Sequence, residues 1–235
     1  MSWIRYREAT IDQLQRAFEA NQETIPLAAR LIAEAVAGDR ILHVFGSGHS
    51  QLVALDIAGR AGGFANVNPI FDPLFGRAER LEGFVSVLLS AHTFHPGDVL
   101  IVISHSGRNP APIEVALHGK QHGLPVIAVT AVAFSRSLPS RHSSGKRLFE
   151  IADVILDTLG APGDAVIPLD ADLSVGPTST VIGAALLQAV ISEAAAQLLN
   201  RGVRPPLFRS GNLEGADAYN QELRSRYRGR VTLLI

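Results

Sequence analysis

Serine, glycine and histidine are concentrated in two short segments of this chain. The first is Gly46-Ser47-Gly48-His49-Ser50, and the second is Ser104-His105-Ser106-Gly107-Arg108-Asn109. Glycine lets a backbone turn sharply and approach a ligand closely, and serine hydroxyls can donate hydrogen bonds to an anion. A helix that begins after such a segment adds unpaired N–H groups, which bind phosphate readily. Together the two segments predict an anion site.

Neither segment is a nucleotide-binding motif. The G-x-G-x-x-G spacing is absent after the first apolar run, and no Gly-Lys-Ser/Thr follows as it does in a P-loop. Either segment alone is also compatible with an ordinary strand-to-helix turn. Two hydroxyl-rich segments at one edge of a sheet favour a shared ligand site.

Apolar runs and helical periodicity alternate around these segments. The runs predict strands at 41–45, 99–103, 125–130 and 154–156. The periodicity predicts helices over 10–37 with a break at Pro26, from the first segment to Arg60, and over 79–92, 110–122 and 178–201. This alternation predicts a parallel sheet between helices, with ligands at the carboxyl ends of its strands.

Length and composition predict a single domain. The chain has 235 residues, of which 47% are apolar and 18% charged, with a net charge of −1 and no cysteine. We predict an N-terminal helical segment (1–37), a central domain (38–202) and a C-terminal tail (203–235), whose polar stretch 205–227 we expect to be only partly ordered. Balanced charge argues against nucleic acid as a partner. Polar residues interrupt the apolar stretch 181–199, and this predicts a buried helix instead of a membrane span. The N-terminus has no apolar region of the kind that secretory signals carry, and this predicts a cytoplasmic protein.

The order of these segments resembles that of a SIS (sugar isomerase) domain. The first segment resembles the first phosphate loop of that family, and Ser104-x-Ser106-Gly107-x-Asn109 resembles its S-x-S-G-x-T signature, with asparagine in place of threonine. Thr178-Ser179-Thr180 resembles the start of its closing helix. The resemblance spans about residues 30–200 and is strongest to an uncharacterised phosphosugar-binding subgroup related to phosphoheptose isomerases, which shares the stretches 62–63, 140–146 and 176–180.

This resemblance implies a fold and a ligand. The fold is a three-layer αβα sandwich with a central parallel sheet, flavodoxin-like or Rossmann-like, with the N-terminal helices packed on the domain. The ligand is a sugar phosphate. The implied phosphate-binding residues are Ser47, Gly48, Ser50, Ser104, Ser106, Asn109, Thr178 and Ser179.

The catalytic residues are less well defined by the resemblance. Isomerases of the family carry an acid or a histidine about three turns into the closing helix, where this chain has Gln188, which cannot act as a base. The remaining candidates are Glu193, Asp56, His49 and His105. Glu193 is equally compatible with an interface carboxylate, and Asp56 with a solvated helix residue. If the protein is an isomerase, we expect Glu193 to matter more than Asp56, because Glu193 lies in the most apolar segment.

Histidine and basic residues leave further alternatives. His49 and His105 are compatible with structural hydrogen bonding, with acid–base chemistry or with zinc binding, which the resemblance allows; no other cofactor is expected. A basic cluster over 136–147 is compatible with guidance of an anionic substrate or with a solvated helix start.

Three functions follow from the residues and the resemblance. The first is an aldose–ketose isomerase of sugar phosphates that acts through an enediol. The second is a sensor or regulator that binds a sugar phosphate without turnover, which Gln188 favours. The third is a sugar-phosphate lyase or etherase. The closing helix is apolar on nearly all sides, which predicts a homodimer or homotetramer. The polar tail, with Asn212, Glu214 and Asp217, is placed to close over a neighbouring subunit's site.

Overall fold

A five-stranded parallel sheet forms the centre of the protein. The computed structural model describes residues 1–232 and orders the strands β2-β1-β3-β4-β5. Their bounds are β1 Leu42–Gly46, β2 Val67–Ile70, β3 Val99–Ile103, β4 Val126–Thr130 and β5 Val154–Asp157. Residues of β1 to β4 are buried throughout, as expected for parallel strands covered on both faces.

Helices cover both faces of the sheet. One face packs against α1 Ser2–Ala20, α2 Thr24–Ala37, α3 Ser50–Asp56 and α7 Ser179–Asn200. The other face packs against α4 Phe84–Leu89 and α5 Pro110–Gln121. The short helix α6 (Val132–Arg136) and a 3₁₀ turn (Leu148–Glu150) follow β4. The predicted αβα sandwich with a central parallel sheet is confirmed.

The register of the sheet places the two serine-containing segments side by side. β1 pairs with β3 in parallel, so that Gly46 at the end of β1 lies opposite Ile103 at the end of β3. The segment after each strand therefore leaves the same edge of the sheet. The chain after β2 joins them there, because β2 is the other neighbour of β1.

Several element boundaries differ from the sequence prediction. The first helix begins at Ser2, and the break before α2 lies at 21–23, while Pro26 sits in the first turn of α2, where proline needs no N–H partner. The helix after the first segment ends at Asp56, and the predicted helix over 79–92 is confined to Phe84–Leu89. The sequence prediction missed β2 and the hairpin β6 Ala165–Pro168 with β7 Ser174–Pro177.

The C-terminal tail is more ordered than its polar sequence predicts. Helix α8 (Ala216–Tyr227) packs the fully buried ring of Tyr227 into a small core with Ile41 and Phe208. Arg226 and Arg230 form ion pairs with Asp39 at 2.7 and 2.9 Å. The prediction of partial order is therefore wrong for residues 205–227, because a few apolar side chains are enough to anchor a polar helix.

Helix α7 is long and apolar enough to cross a membrane by length and composition. Core helices of globular domains meet the same criterion, and α7 packs against the sheet and against α2 in the main core. These neighbours bury eight of its 22 residues and account for the apolar character of the side that they cover. Val181 and Leu199 remain exposed.

Candidate active site

The first serine-containing segment makes a turn that only glycine allows. A Cβ atom on Gly46 would lie 2.3 Å from the carbonyl oxygen of Ser50, and Gly48 has a φ of +57°. Ser47, at the centre of the turn, is 8% exposed. In the second segment the backbone N–H of Gly107 donates to Oγ of Ser104 at 3.1 Å, which leaves the serine proton free for a ligand.

Asp72 fixes the chain after β2 against the first segment. This buried carboxylate accepts hydrogen bonds from the backbone N–H of Leu74 at 2.9 Å and of Gly76 at 2.7 Å, and from Oγ of Ser47 at 3.4 Å. Gly76 in turn packs so tightly on Gly48 that a Cβ atom there would lie 2.9 Å from its backbone. The 71–83 segment is thereby held over the serine-containing edge.

Glu79 lies in this overlying segment and faces the second serine-containing segment. Its Oε1 accepts a hydrogen bond from Nδ2 of Asn109 at 2.7 Å, and Oδ1 of Asn109 accepts from Nη1 of Arg141 at 3.0 Å. Burial raises the pKa of the Glu79 carboxyl, although the Ser47 hydroxyl and the charges of Arg80 and Arg141 oppose the rise. A carboxylate with a raised pKa is suited to proton transfer near neutral pH.

The guanidinium groups of Arg80 and Arg141 act on this carboxylate, and a third, that of Arg108, lies close to both of them. Burial and the charges of Arg141 and Arg80 lower the pKa of Arg108, which shows that the three positive groups act on one another. Among residues 1–232, none of the three lies within 4.0 Å of a carboxylate, and Nε of Arg108 is buried without a hydrogen-bond partner. The arrangement combines a cluster of positive charge suited to an anion with one carboxylate that can accept a proton.

Known proteins are similar to this chain in sequence and in fold. The family model described as SIS domain matches residues 5–131, and a UPF0309 protein from Shouchella clausii (strain KSM-K16) is 38% identical over 243 residues, 98% of this chain and 99% of that protein. The chain belongs to the SIS domain family. Within this family it groups with the UPF0309 proteins.

Solved structures with low sequence identity share the fold of this SIS domain. Phosphoheptose isomerase GmhA from Neisseria gonorrhoeae superposes with a TM-score of 0.58 at 20% identity, over 82% of this chain and 96% of that one. The Vibrio vulnificus NanR protein complexed with ManNAc-6P superposes with a TM-score of 0.54 at 15% identity, over 86% and 65%. At these identities the likeness establishes the fold.

The SIS domain brings most of the predicted phosphate-binding residues to one edge. These residues follow β1 and β3 and are Ser47, Gly48, Ser50, Ser104, Ser106 and Asn109. The amide of Asn109 donates to Glu79, so its role in phosphate binding stays a prediction.

Thr178 and Ser179 lie at the start of α7, where their hydroxyls have partners within the protein. Oγ1 of Thr178 donates to Oε1 of Gln13 at 2.7 Å, and Oγ of Ser179 donates to Oδ2 of Asp164 at 2.6 Å. Asp164 also accepts the backbone N–H groups of both residues. The structure thus uses these two residues to anchor α7, and their predicted phosphate binding would require these hydrogen bonds to break.

The two predicted carboxylate bases lie away from the guanidinium cluster. Oδ2 of Asp56 accepts from Nε2 of Gln188 at 2.9 Å, and Oδ1 pairs with Arg60, which favours a structural role for Asp56. Glu193 accepts from Nε2 of Gln197 at 3.0 Å. It lies about 21 Å along α7 from Ser179, at a rise of 1.5 Å per residue, and this distance separates it from the serine-containing segments of the chain.

The two loop histidines point in different directions. His49 is exposed on the first serine-containing segment, with its ring 5.6 Å from that of Phe75. Nε2 of His105 lies 3.0 Å from the carbonyl oxygen of Ala161, and its ring packs on Phe134. In the described part of the chain, neither joins two further candidate ligands into a metal-binding group.

The sequence analysis missed Asp72 and Glu79, the acidic residues of the site, and gave no role to Arg80 and Arg108. Arg141 was noted only as part of the basic cluster. The signal that could have indicated these residues was the concentration of charged side chains in Arg77-Ala78-Glu79-Arg80-Leu81-Glu82. It was interpreted as a helix because β2, which brings this segment to the edge, is short and contains proline.

Proposed function

We propose that this SIS protein binds a sugar phosphate and isomerises it between the aldose and ketose forms through an enediol. The observation that carries the proposal is Glu79, a partly buried carboxylate with a raised pKa that lies close to the guanidinium groups of Arg80 and Arg141 and to the serine loops. The serine hydroxyls and the N-terminus of α5 are suited to the phosphate, and the carboxylate to the sugar carbons.

In this mechanism Glu79 accepts the proton of C2 from the open-chain aldose. The electron pair of the C2–H bond forms the C1=C2 bond while O1 gains a proton, which yields the enediol. Glu79 then returns its proton to C1, and the O2 hydroxyl loses its proton as the ketose carbonyl forms. Asn109 holds the carboxylate in place, and Arg141 supports Asn109 through the hydrogen bond to its amide oxygen. The exposed His49 is the candidate group that transfers a proton between the two sugar oxygens, O1 and O2.

Two other functions are compatible with the same site. Loss of a C3 substituent as water or an alcohol begins with the same proton abstraction at C2, so a lyase or etherase would also use Glu79. A sensor would use the anion site alone, and the NanR protein complexed with ManNAc-6P illustrates that a sugar phosphate can be bound on this fold. The raised pKa of Glu79 favours the enzymatic alternatives.

Solvent isotope exchange tests the proposal. A thermal-shift screen first identifies sugar phosphates that stabilise the protein, and each hit is then incubated in heavy water and followed by NMR. We expect deuterium to enter C1 or C2 while aldose and ketose interconvert. Deuterium at C2 with loss of a C3 substituent would assign the lyase instead, and binding without exchange would assign the sensor.

Ser104→Ala is expected to weaken binding of the best sugar phosphate by about 1–2 kcal/mol, the scale of a hydrogen bond to a charged group. Isothermal calorimetry measures this loss. Ser90→Ala is the matched control, because Ser90 lies at the end of α4 and donates its hydroxyl to the carbonyl oxygen of Val87. Equal affinities for the Ser104 variant and the control would remove Ser104 from the phosphate site.

A cytoplasmic homodimer or homotetramer belongs to the same proposal. Apolar side chains are exposed beside the site at Phe71, Leu74 and Phe75, and on α7 at Val181 and Leu199. Exposed apolar groups of this kind favour an interface between subunits. An interface there would also shield the carboxylate from water.

A further inference from the structure

Three side chains with metal-binding atoms converge beside the anion site. Glu82 precedes α4, Glu114 lies on α5, and His142 follows Arg141 in the 137–147 segment. One ligand atom from each lies within 4.8 Å of the others, and residues 1–232 contain no second group of three that does so. Because three separate elements supply these atoms, only the tertiary fold brings them together.

The distances between these atoms fit a shared cation. Nε2 of His142 lies 3.7 Å from Oε1 of Glu114 and 4.0 Å from Oε2 of Glu82. Both distances exceed the range of N–H···O hydrogen bonds, which ends near 3.2 Å. Ligands of one tetrahedral zinc ion are roughly 3.3 Å apart at bond lengths of 2.0–2.1 Å. Small side-chain movements would therefore complete a metal site.

Glu114 gives the second indication of a ligand. Its Oε1, the oxygen that lies 3.7 Å from Nε2 of His142, accepts from the backbone N–H of Gly83 at 2.6 Å, whereas its Oε2 is buried and has no hydrogen-bond partner. A buried carboxylate oxygen without a donor is costly unless a cation compensates it. Glu114 also lines a cavity of about 610 Å³ between α4 and α5, which provides a path for an ion from solvent.

Neighbouring serines orient the other two ligands. Nδ1 of His142 lies 2.7 Å from Oγ of Ser144 and 3.1 Å from the backbone nitrogen of Ser144, and these contacts orient the ring so that Nε2 faces the two carboxylates. Glu82 accepts hydrogen bonds from the hydroxyl of Ser143 at 2.7 Å and from its backbone N–H at 2.6 Å. These two contacts hold the Glu82 carboxylate beside His142.

We propose that Glu82, Glu114 and His142 bind a divalent transition-metal ion, for which the mixed nitrogen and oxygen donors select zinc over magnesium or calcium. The ion joins the 71–83 segment, which carries Glu79, to the 137–147 segment, which carries Arg141. It thereby fixes the position of the Glu79 carboxylate relative to the guanidinium group of Arg141. This positioning role rests on the proposed function, whereas metal binding does not.

Zinc titration of the full chain tests the site. The protein is dialysed against a chelator and titrated with Zn²⁺ in a calorimeter without any sugar phosphate. We expect one zinc ion per chain and a higher melting temperature on binding. His142→Ala and Glu114→Gln should each weaken zinc binding at least about 100-fold, because each removes one of three protein ligands. Glutamine retains the acceptor for Gly83, and circular dichroism establishes that each variant is folded.

The partly buried His118 and the exposed His122, spaced four residues apart at the end of α5, provide the matched control. His122→Ala should leave the zinc affinity of the 82/114/142 site unchanged. Zinc binding that is abolished by His122→Ala and retained by His142→Ala would overturn the proposal, as would the absence of binding to the parent protein. Because the titration contains no sugar phosphate, its failure leaves the proposed isomerase activity to be judged by isotope exchange.

Discussion

Glu79→Gln is expected to lower kcat for the sugar phosphate by about 10²–10⁴-fold, the contribution of a positioned general base. Glutamine has nearly the same size and can still accept the hydrogen bond from Asn109, but it cannot take a proton from carbon. The dissociation constant of the sugar phosphate should change by less than about threefold, because the serine loops and guanidinium groups remain. Steady-state kinetics and calorimetry measure the two quantities separately.

The pH dependence of the parent protein gives a second measure of the same base. Glu79 must be ionised to accept a proton, so kcat/KM should rise with pH through the pKa of this group. Because burial raises the pKa of Glu79, the acid limb should lie above the value of about 4.3 for an ordinary glutamate. Glu79→Gln should abolish this limb in the residual activity.

Glu193→Gln and Asp56→Asn are the comparison variants, since both carboxylates are candidates from the sequence. The geometry predicts nearly full activity for each, because their oxygens contact Gln197 in one case and Gln188 and Arg60 in the other. If Glu193→Gln abolishes turnover and Glu79→Gln does not, the base is supplied by α7, most simply to the site of a neighbouring subunit, and the assignment of Glu79 is wrong.

Asp98→Ala is expected to destabilise the protein by about 3–5 kcal/mol, the cost of removing one partner from a buried pair. Asp98 is 1% exposed and accepts hydrogen bonds from the backbone N–H groups of Ile41 and His95, each at 2.8 Å. It also lies 3.3 Å from Nε2 of the fully buried His43. The substitution leaves these groups without an acceptor at the start of β1. Urea unfolding measures the loss.

The stabilising effect of Asp98 should depend on pH. Burial raises the pKa of this carboxyl, but the hydrogen bonds from His43 and from the backbone of Ile41 and His95 outweigh burial and lower it overall. A lowered folded-state pKa means that the contribution is present above the unfolded-state value of about 3.9 and is lost as pH falls through the folded-state pKa. The stability difference between the parent protein and Asp98→Ala should therefore shrink below about pH 4.

Asp153→Ala is the matched control for this substitution. Asp153 accepts the backbone N–H of Val126 at 2.8 Å at the start of β4, which is the same task that Asp98 performs for Ile41. Its side chain is 40% exposed, so water can replace it, and the loss should be about 1 kcal/mol. Equal losses for the two variants would show that burial of Asp98 and its contact with His43 contribute nothing.

The sequence by itself determined the architecture and the location of the ligand site. Apolar runs such as Val99–Ile103, alternating with amphipathic helices, indicate a parallel sheet that is covered on both faces. The carboxyl ends of parallel strands meet at one edge of such a sheet. The two serine-containing segments therefore had to meet, and in the structure they do.

The tertiary structure alone decided which carboxylate faces that edge. Glu79 is 25 residues or more from either Ser104 or Ser50 along the chain, and its partners are Asn109 and, through it, Arg141. Their meeting depends on the position of β2 beside β1 and on the bonds that Asp72 makes to its own segment. Periodicity reports which side of an element is buried, but it contains no information about which distant loop covers it. The same limit applies to Glu82, Glu114 and His142, whose convergence depends on three elements that are far apart in sequence.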